Sequence, residues 1–456
     1  MKLVVAFVDG LGMRFSSRNN LLYESASTFV RSLMKVYPTA KIEASGQIVG
    51  LAKGIASAES SMMTISSGRA IAHPVTSLNF DTNKSFAKAI GYAKRNKSTV
   101  HVITLLSNAG VQSYLTHLLE VAARCNKRGL KCVAHFIVDD VDTVSEPLVY
   151  YEKVAPLLSK LGCTVGTVTS RKFAMNTHEK WDFTELTYNA MSLGHGVLSQ
   201  SVTQSIAKTD VHPTVIRDYS GMSAKDVVMF LPCRGDGMQQ LVRSFSETKF
   251  EGFKRRRKNL YVCCAIPYYR PLKTHVFQDY PVLKNTVVKE ISKKRLKQFR
   301  ICEDKKRRMV TLALDLYEQF SLNKEERVVV ESKGSNSMRA ITRETLHALR
   351  KEKADVVFSH YSPIGYGSKG VNVLNECLRV LHDELQKDNV NLLIVGTHGG
   401  LEDTTRAFTD NKVAMILVGP HDKIKNGSMV DVGATILDLL DLKIPKDFVG
   451  KSLLIK

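Results

Sequence analysis

Two residues stand where an α/β protein usually does its chemistry. Asp9 closes the apolar run VVAFVDGLG, and His398 follows the strand-like stretch of LLIVGTHGG. Both fall at the C-terminal ends of predicted strands, outside which open α/β sheets collect ligands and reactive groups. A carboxylate and an imidazole are metal-ligand types, and a divalent centre for phosphoryl transfer is the chemistry they suggest. Their charge falls short of that task. Together they supply one negative charge, whereas a pair of divalent ions needs several carboxylates to offset it. His360, Glu402, Asp403 and Asp410 offer further ligand types. In HGGLED, Glu402 and Asp403 come four and five residues after His398, which would suit a rearranged single-metal site.

A second group is cationic. Lys254, Arg255, Arg256, Arg257 and Lys258 form KRRRK, and Lys293, Lys294, Arg295, Lys297, Arg300, Lys305, Arg307 and Arg308 fall within KKRLKQFRICEDKKRR. The 456-residue chain carries 65 Lys and Arg against 44 Asp and Glu, a formal net charge of +21. Such a surplus attracts polyanions over a Debye length or more. The two blocks are therefore candidate contacts to RNA phosphates, which add salt-dependent affinity without sequence preference. The competing reading is a solvated face with snorkelling side chains. In the second block, Leu296, Phe299 and Ile301 are spaced to set one face on protein and leave the cations wet. No RNA-recognition, zinc-finger or KH signature is present, so recognition would be by shape and backbone. Phe253, Tyr261 and Phe299 lie beside the blocks and could stack on bases or pack in the core.

The elements that must hold these residues are strands alternating with helices. Apolar residues make up 44% of the chain, enough for real cores. Residues 99–106, 132–138, 163–170 and 226–234 read as strands, with helices after the first two. Residues 354–360, 390–398 and 413–420 are further strands, with helices over 371–387 and 429–442. This predicts mostly parallel sheets. The small-residue segment GIASAESSMMTISSGR (54–69) either presents helix N–H groups to an anion or packs closely on a sheet. The eight cysteines contain no CxxC, and free thiols in a reducing, intracellular compartment are expected. Neither a membrane span nor a secretory leader is expected, since MKLVVAFV already reads as a strand. No Arg-rich amphipathic mitochondrial presequence is visible.

In order along nearly the whole chain, VDGLG (8–12), SGR (67–69), LLSNAGVQSYLTHL (105–118), HFIVDDVDT (135–143), TSRKFAMNTHEKW (169–181), DVVMFLPCRGD (226–236), LKQFRICEDKK (296–306) and ILDLLDL (436–442) resemble the cofactor-independent phosphoglycerate mutase family, within the alkaline phosphatase superfamily. The resemblance implies an alkaline-phosphatase-like α/β domain built on a parallel sheet, about 1–78 plus 309–456, with a second α/β domain, about 79–308, inserted in it. It also implies phosphate transfer through a serine held between two manganese ions. Residue by residue, the first metal-binding aspartate is retained as Asp9, the nucleophilic serine falls on Ala58, and the Asp-His pair becomes Thr397-His398. Two further ligand positions fall on Ile364 and Ser368, and the last falls near Phe408. On the substrate side, Ser113, Asp142, Arg171, Arg234 and Lys306 are retained and would form a phosphate-sized anion pocket. Gln112, Val141, Thr177 and Gly237 stand where the family has a histidine and three arginines.

These losses lead to the expectation of a catalytically inactive relative with no metal and no cofactor. Joined to the charge, they suggest a structural or assembly part of an RNA–protein particle, such as a mitochondrial ribosome or its precursor, with RNA and proteins as partners. Two other readings stand beside it. One is an active metal-dependent mutase or phosphatase with rearranged ligands. The other is a sensor that holds a phosphorylated metabolite through Arg171 and Arg234 without turning it over.

Overall fold

The computed structural model describes residues 2–14, 16–26, 28–139, 146–176, 180–207, 210–233, 235–269, 271–272, 274–318, 322–405 and 408–455. Its strands in chain order are β1 (Leu3–Val8), β2 (Thr39–Glu43), β3 (Val100–Leu106), β4 (Cys132–Val138), β5 (Cys163–Ser170), β6 (Val197–Ser199), β7 (Thr214–Ile216) and β8 (Val227–Phe230). There follow β9 (Tyr261–Cys264), β10 (His275–Val276), β11 (Gln298–Glu303), β12 (Glu325–Val330), β13 (Val356–Tyr361), β14 (Asn391–Gly396), β15 (Val413–Val418) and β16 (Gly427–Ser428). The chain divides into two compact units, Met1–His73 with Pro281–Lys456, and Pro74–Tyr280.

The first unit is built on the sheet β12-β11-β13-β1-β14-β15-β2-β16. From β12 to β14 it is parallel, and β15 runs antiparallel to both β14 and β2. Its central strands read as unbroken apolar runs (LVVAFV, NLLIVG) because both faces are covered, and every residue of β1, β13, β14 and β15 is buried. The second unit is built on β10-β9-β8-β3-β4-β5-β7-β6, parallel except where β7 meets β5.

The α/β architecture with a parallel sheet is as the sequence suggested. The division between units is placed differently: residues 281–308, assigned above to the insertion, belong to the first unit. The reason is β11. Read as one wet-sided face, QFRICE is instead a strand paired on both sides, with β12 and β13, and all six of its residues are buried. Phe299 and Ile301 alternate onto the face that joins the apolar core, which is a period of two and not a helical spacing.

The small-residue segment becomes the helix Ala58–Ser67, with all ten residues buried. It packs against the helix Met429–Leu439, whose first turn is fixed by a Ser428–Asp431 capping box. At Gly433 a Cβ would lie 2.0 Å from the Ile65 carbonyl oxygen, so the two backbones touch only because that residue is glycine. No helix among the described residues is long and apolar enough to cross a membrane. All eight cysteines are free and buried.

Candidate active site

Register builds the first cluster. Val8, the last residue of β1, is level with Tyr361 of β13 and Gly396 of β14. The next residue, Asp9, therefore emerges between the ends of those strands, flanked by His360 and Ser362 on one side and Thr397 and His398 on the other. Gly10 turns the chain away at φ +80°, where a Cβ would meet Ile364 at 2.5 Å. The carboxylate is 1% exposed. Its Oδ1 accepts hydrogen bonds from Thr397 Oγ1 (2.8 Å) and His360 Nε2 (3.0 Å). Its Oδ2 accepts from Lys306 Nζ (2.9 Å) and Ser362 Oγ (3.0 Å). A carboxylate has about four lone-pair sites, so Asp9 is saturated by the protein. Burial works to raise its pKa, but His360 and Lys306 outweigh that and hold the group well below the usual carboxylate range.

His398 donates Nδ1–H to the Gly399 carbonyl at 2.8 Å, which leaves its Nε2 lone pair 3.8 Å from Asp9 Oδ1. Burial pushes its pKa down, keeping the ring neutral. That backbone bond is the kind that orients a ligating imidazole. The other expected positions do not help to hold a cation. Phe408 packs its ring against His398 (centroids 4.7 Å apart), Ile364 lines the apolar core, and Ser368 is exposed near the start of the helix Gly367–Lys387. Ala58 opens its helix without a hydroxyl, and the next residue, Glu59, is buried and accepts a hydrogen bond from Tyr317.

The rearranged set is spoken for as well. Glu402 accepts from the Gly400 amide (2.7 Å), from Thr409 and from Asn411 (3.1 Å). Asp403 pairs with Arg14 at 2.7 Å, and Asp410 is exposed. Among the described residues no group of three or more His, Cys, Asp or Glu could hold a metal ion. A two-manganese centre therefore does not fit the residues present. One carboxylate already bonded four ways cannot supply the charge, and the ammonium of Lys306 stands beside it as a cation.

The second cluster lies in the second unit, at the C-terminal ends of β3, β4 and β5. Leu106, Val138 and Ser170 are level, so Asp139 and Arg171 emerge side by side. Arg171 Nη1 donates to Asp139 Oδ1 at 2.8 Å and Nη2 to Gln112 Oε1 at 2.6 Å. Ser113 Oγ is 3.1 Å from Thr104 Oγ1. Of the expected anion pocket, Ser113 and Arg171 thus lie in this unit and Lys306 in the other, while Asp142 and Arg234 fall outside the described residues. Asp139 was not foreseen. The signal was its place one residue beyond a strand end, three before the aspartate that the motif comparison favoured.

Several cations expected to contact RNA are committed internally. Arg300 is fully buried, paired with Asp315 (2.7 Å) and Glu325 (3.3 Å). Lys297 bridges Glu326 (3.0 Å) and Glu352 (3.1 Å), and Lys293 bonds Glu290 at 2.6 Å. Arg255 lies over the Phe250 ring at 4.7 Å, and Lys258 donates to the Ser192 carbonyl at 2.6 Å and to that of Met222. Lys254, Arg256, Arg257, Lys294, Arg295, Lys305 and Arg307 remain exposed, and Arg308 is half-buried. The aromatics have partners too: Phe299 is core, Tyr261 stacks on His275 at 4.2 Å, and Phe253 packs on Tyr188 and Phe250.

Comparison with known proteins decides the relationship. Residues 71–270 match the family model described as the N-terminus of BPG-independent phosphoglycerate mutase. The chain is 29% identical to 2,3-bisphosphoglycerate-independent phosphoglycerate mutase 1 of Methanosarcina acetivorans over 507 aligned positions, covering 100% of this chain and 98% of that protein. The namesake enzymes of Clostridium beijerinckii (28%, 99% of each chain) and of Pyropia yezoensis (28%, 99% and 96%) match at similar length. Along its whole length the chain is similar to the cofactor-independent phosphoglycerate mutases. A crystal structure of the Leishmania mexicana phosphoglycerate mutase at low cobalt concentration superposes with a TM-score of 0.92 at 19% identity, covering 100% of this chain and 97% of that one, which establishes the fold.

This likeness overturns the expectation of an inactive assembly part of an RNA–protein particle. The relatives that span the chain from end to end carry the name of an enzyme, and the ribosomal, RNA-binding and mitochondrial assignments go with it. The physical error lay in treating the cationic blocks as free surface, when the strand β11 and its ion pairs absorb much of the second block.

Proposed function

We propose that the protein acts on phosphoglycerate by phosphoryl-group chemistry, through a centre that departs from the family's two-metal plan. The observation that carries the reading is likeness to phosphoglycerate mutases along the entire chain. The site chemistry supports it in each unit separately. In the second, Arg171 is a buried guanidinium whose fork matches a carboxylate or phosphate. It is held ready by Asp139 and Gln112. In the first, Lys306 is 28% exposed and offers a cation to phosphate, while neutral His398 keeps an imidazole nitrogen able to accept a proton. Ser57 directly precedes Ala58 and makes no side-chain cap bond, so we assign its hydroxyl to receive the phosphate in the place of the family's serine.

The departure from the two-metal plan rests on the saturation of Asp9. It implies that turnover depends less on manganese than a two-ion centre would require. The test is interconversion of 3- and 2-phosphoglycerate followed by phosphorus NMR, with manganese, with magnesium and with a chelator. Phosphate release is followed in the same tubes. Expected are turnover that survives chelation and its loss in Ser57→Ala. No turnover under any of these conditions would overturn the reading. Turnover that requires manganese and persists in Ser57→Ala would overturn the centre assigned to it.

A further inference from the structure

Away from Asp9 and the strand ends, three side chains of the first unit form a line of hydrogen bonds. Tyr37 Oη is 2.8 Å from His382 Nε2, and His382 Nδ1 is 2.8 Å from Asp383 Oδ1. Chemistry fixes the direction of both bonds. An ionised carboxylate only accepts, so His382 carries its hydrogen on Nδ1 and donates it to Asp383. Nε2 then holds a lone pair, and the Tyr37 hydroxyl donates to it. Nucleophile, base and orienting carboxylate stand in the order that covalent catalysis uses.

The fold holds both ends of the Tyr37–His382 bond. Tyr37 closes the helix Phe29–Val36, where its amide donates to the Leu33 carbonyl at 2.9 Å. Its own carbonyl accepts from the Thr39 hydroxyl at 3.0 Å. His382 stands in the last two turns of the helix Gly367–Lys387, which the buried Leu374, Leu378, Leu381 and Leu385 fix to the core. The Phe29 ring meets the imidazole edge-on, with 5.6 Å between centroids, and limits its rotation. Tyr37 is half-buried and the His382 side chain is 20% exposed, so a small molecule reaches the pair without any structural opening.

A tether between the two helices explains the Tyr37–His382 bond but not the third member. A tether needs only an acceptor for the phenol. It gains little from Asp383, whose side chain is 57% exposed and whose bond competes with water. What the carboxylate adds is the choice of tautomer. With Nδ1–H held by Asp383, the nitrogen that faces the phenol is the one able to take a proton.

We propose that Tyr37 is a nucleophilic modification site, acylated by small activated acyl donors such as aryl esters and acyl phosphates. The phenolic oxygen attacks the acyl carbonyl carbon while His382 Nε2 takes the phenolic proton. A new O–C bond forms, and the bond from that carbon to the leaving group breaks. The leaving group departs with the electron pair of the broken bond. The imidazolium, stabilised by Asp383, then releases its proton to solvent. The step is neither an oxidation nor a reduction. It shares no residue with the phosphoglycerate reading and does not depend on it.

The probe is p-nitrophenyl acetate, added to the full chain near neutral pH. Time-resolved peptide mass spectrometry locates the acetylated tyrosines. Tyr150, half-buried and without an imidazole partner among the described residues, gives the background rate. Expected is acetylation of Tyr37 at least about tenfold faster than that of Tyr150, since a positioned general base contributes about that much or more. His382→Gln still offers the phenol an acceptor but cannot take its proton, so Tyr37 should fall to the background rate. Asp383→Asn changes an exposed residue and keeps the fold, and it should slow Tyr37 severalfold. Tyr37 labelled no faster than Tyr150 overturns the proposal. So does fast labelling that persists in folded His382→Gln, or a rate that Asp383→Asn leaves unchanged.

Discussion

Replacing Lys306 with methionine tests the centre most directly. The ammonium is 2.9 Å from Asp9 Oδ2, and the carboxylate is 1% exposed. Removing one partner of a buried pair costs about 3–5 kcal/mol. Lys306 is itself 28% exposed, and Asp9 keeps His360, Ser362 and Thr397, so the cost falls below that range, to about 2–3 kcal/mol. For a folding unit of this size each kcal/mol moves Tm by about 2–4 °C, so the expected fall is about 5–10 °C at neutral pH. Acid should narrow the gap. Asp9 is depressed in the parent, so its contribution is present above the unfolded carboxylate pKa and is lost only as pH falls through the low folded value. Without the lysine the folded value rises, and less stability remains for acid to remove. The variant should also gain stabilisation from added manganese that the parent lacks, since Asp9 and His398 would then face a cation-sized vacancy of charge. Calorimetry at pH 7 and at steps below pH 4, with and without the ion, reads all three effects. A variant within about 0.5 kcal/mol of the parent at pH 7, the range of ordinary surface changes, would refute the reasoning.

Arg300→Leu should destabilise the first unit by about 2–4 kcal/mol in urea unfolding, because it leaves buried Asp315 and Glu325 only the half-exposed Arg327 as a cation. Lys294→Ala and Arg295→Gly, from the same basic run, should each change it by under about 0.5 kcal/mol. Arg171→Ala should raise KM for phosphoglycerate at least about tenfold, read by steady-state kinetics. A variant with unchanged KM would remove Arg171 from the substrate side. The eight thiols are buried, and burial lifts those of Cys264 and Cys302 to about 12. Native protein should therefore react with Ellman's reagent far more slowly than unfolded protein, and fast native labelling would contradict the packing.

How much of this could be read from the chain varies with the distance over which each feature is decided. The alternation of apolar runs and amphipathic helices is local, so β1, β3, β4, β5, β13, β14 and β15 could be located in the sequence to within a few residues. Motif order was enough to reveal the likeness to phosphoglycerate mutases, and Asp9, Ala58, Thr397 and His398 were legible as positions. Their chemistry was not. That Lys306 would bond Asp9, almost 300 positions away, depends on β11 joining the first sheet. Nothing in LKQFRICEDKK announces this, because its cations mask a period-two strand. The same β11 pairing turned Arg300 from a surface charge into a buried one. The His101–His135–Asp226 network joins β3, β4 and the start of β8 in the same way. Sequence alone determined which residue types were available and which elements would carry them. Only the tertiary structure decided which charges met, because a charge's partner is set by sheet order and register, and neither is written in the residues that flank it.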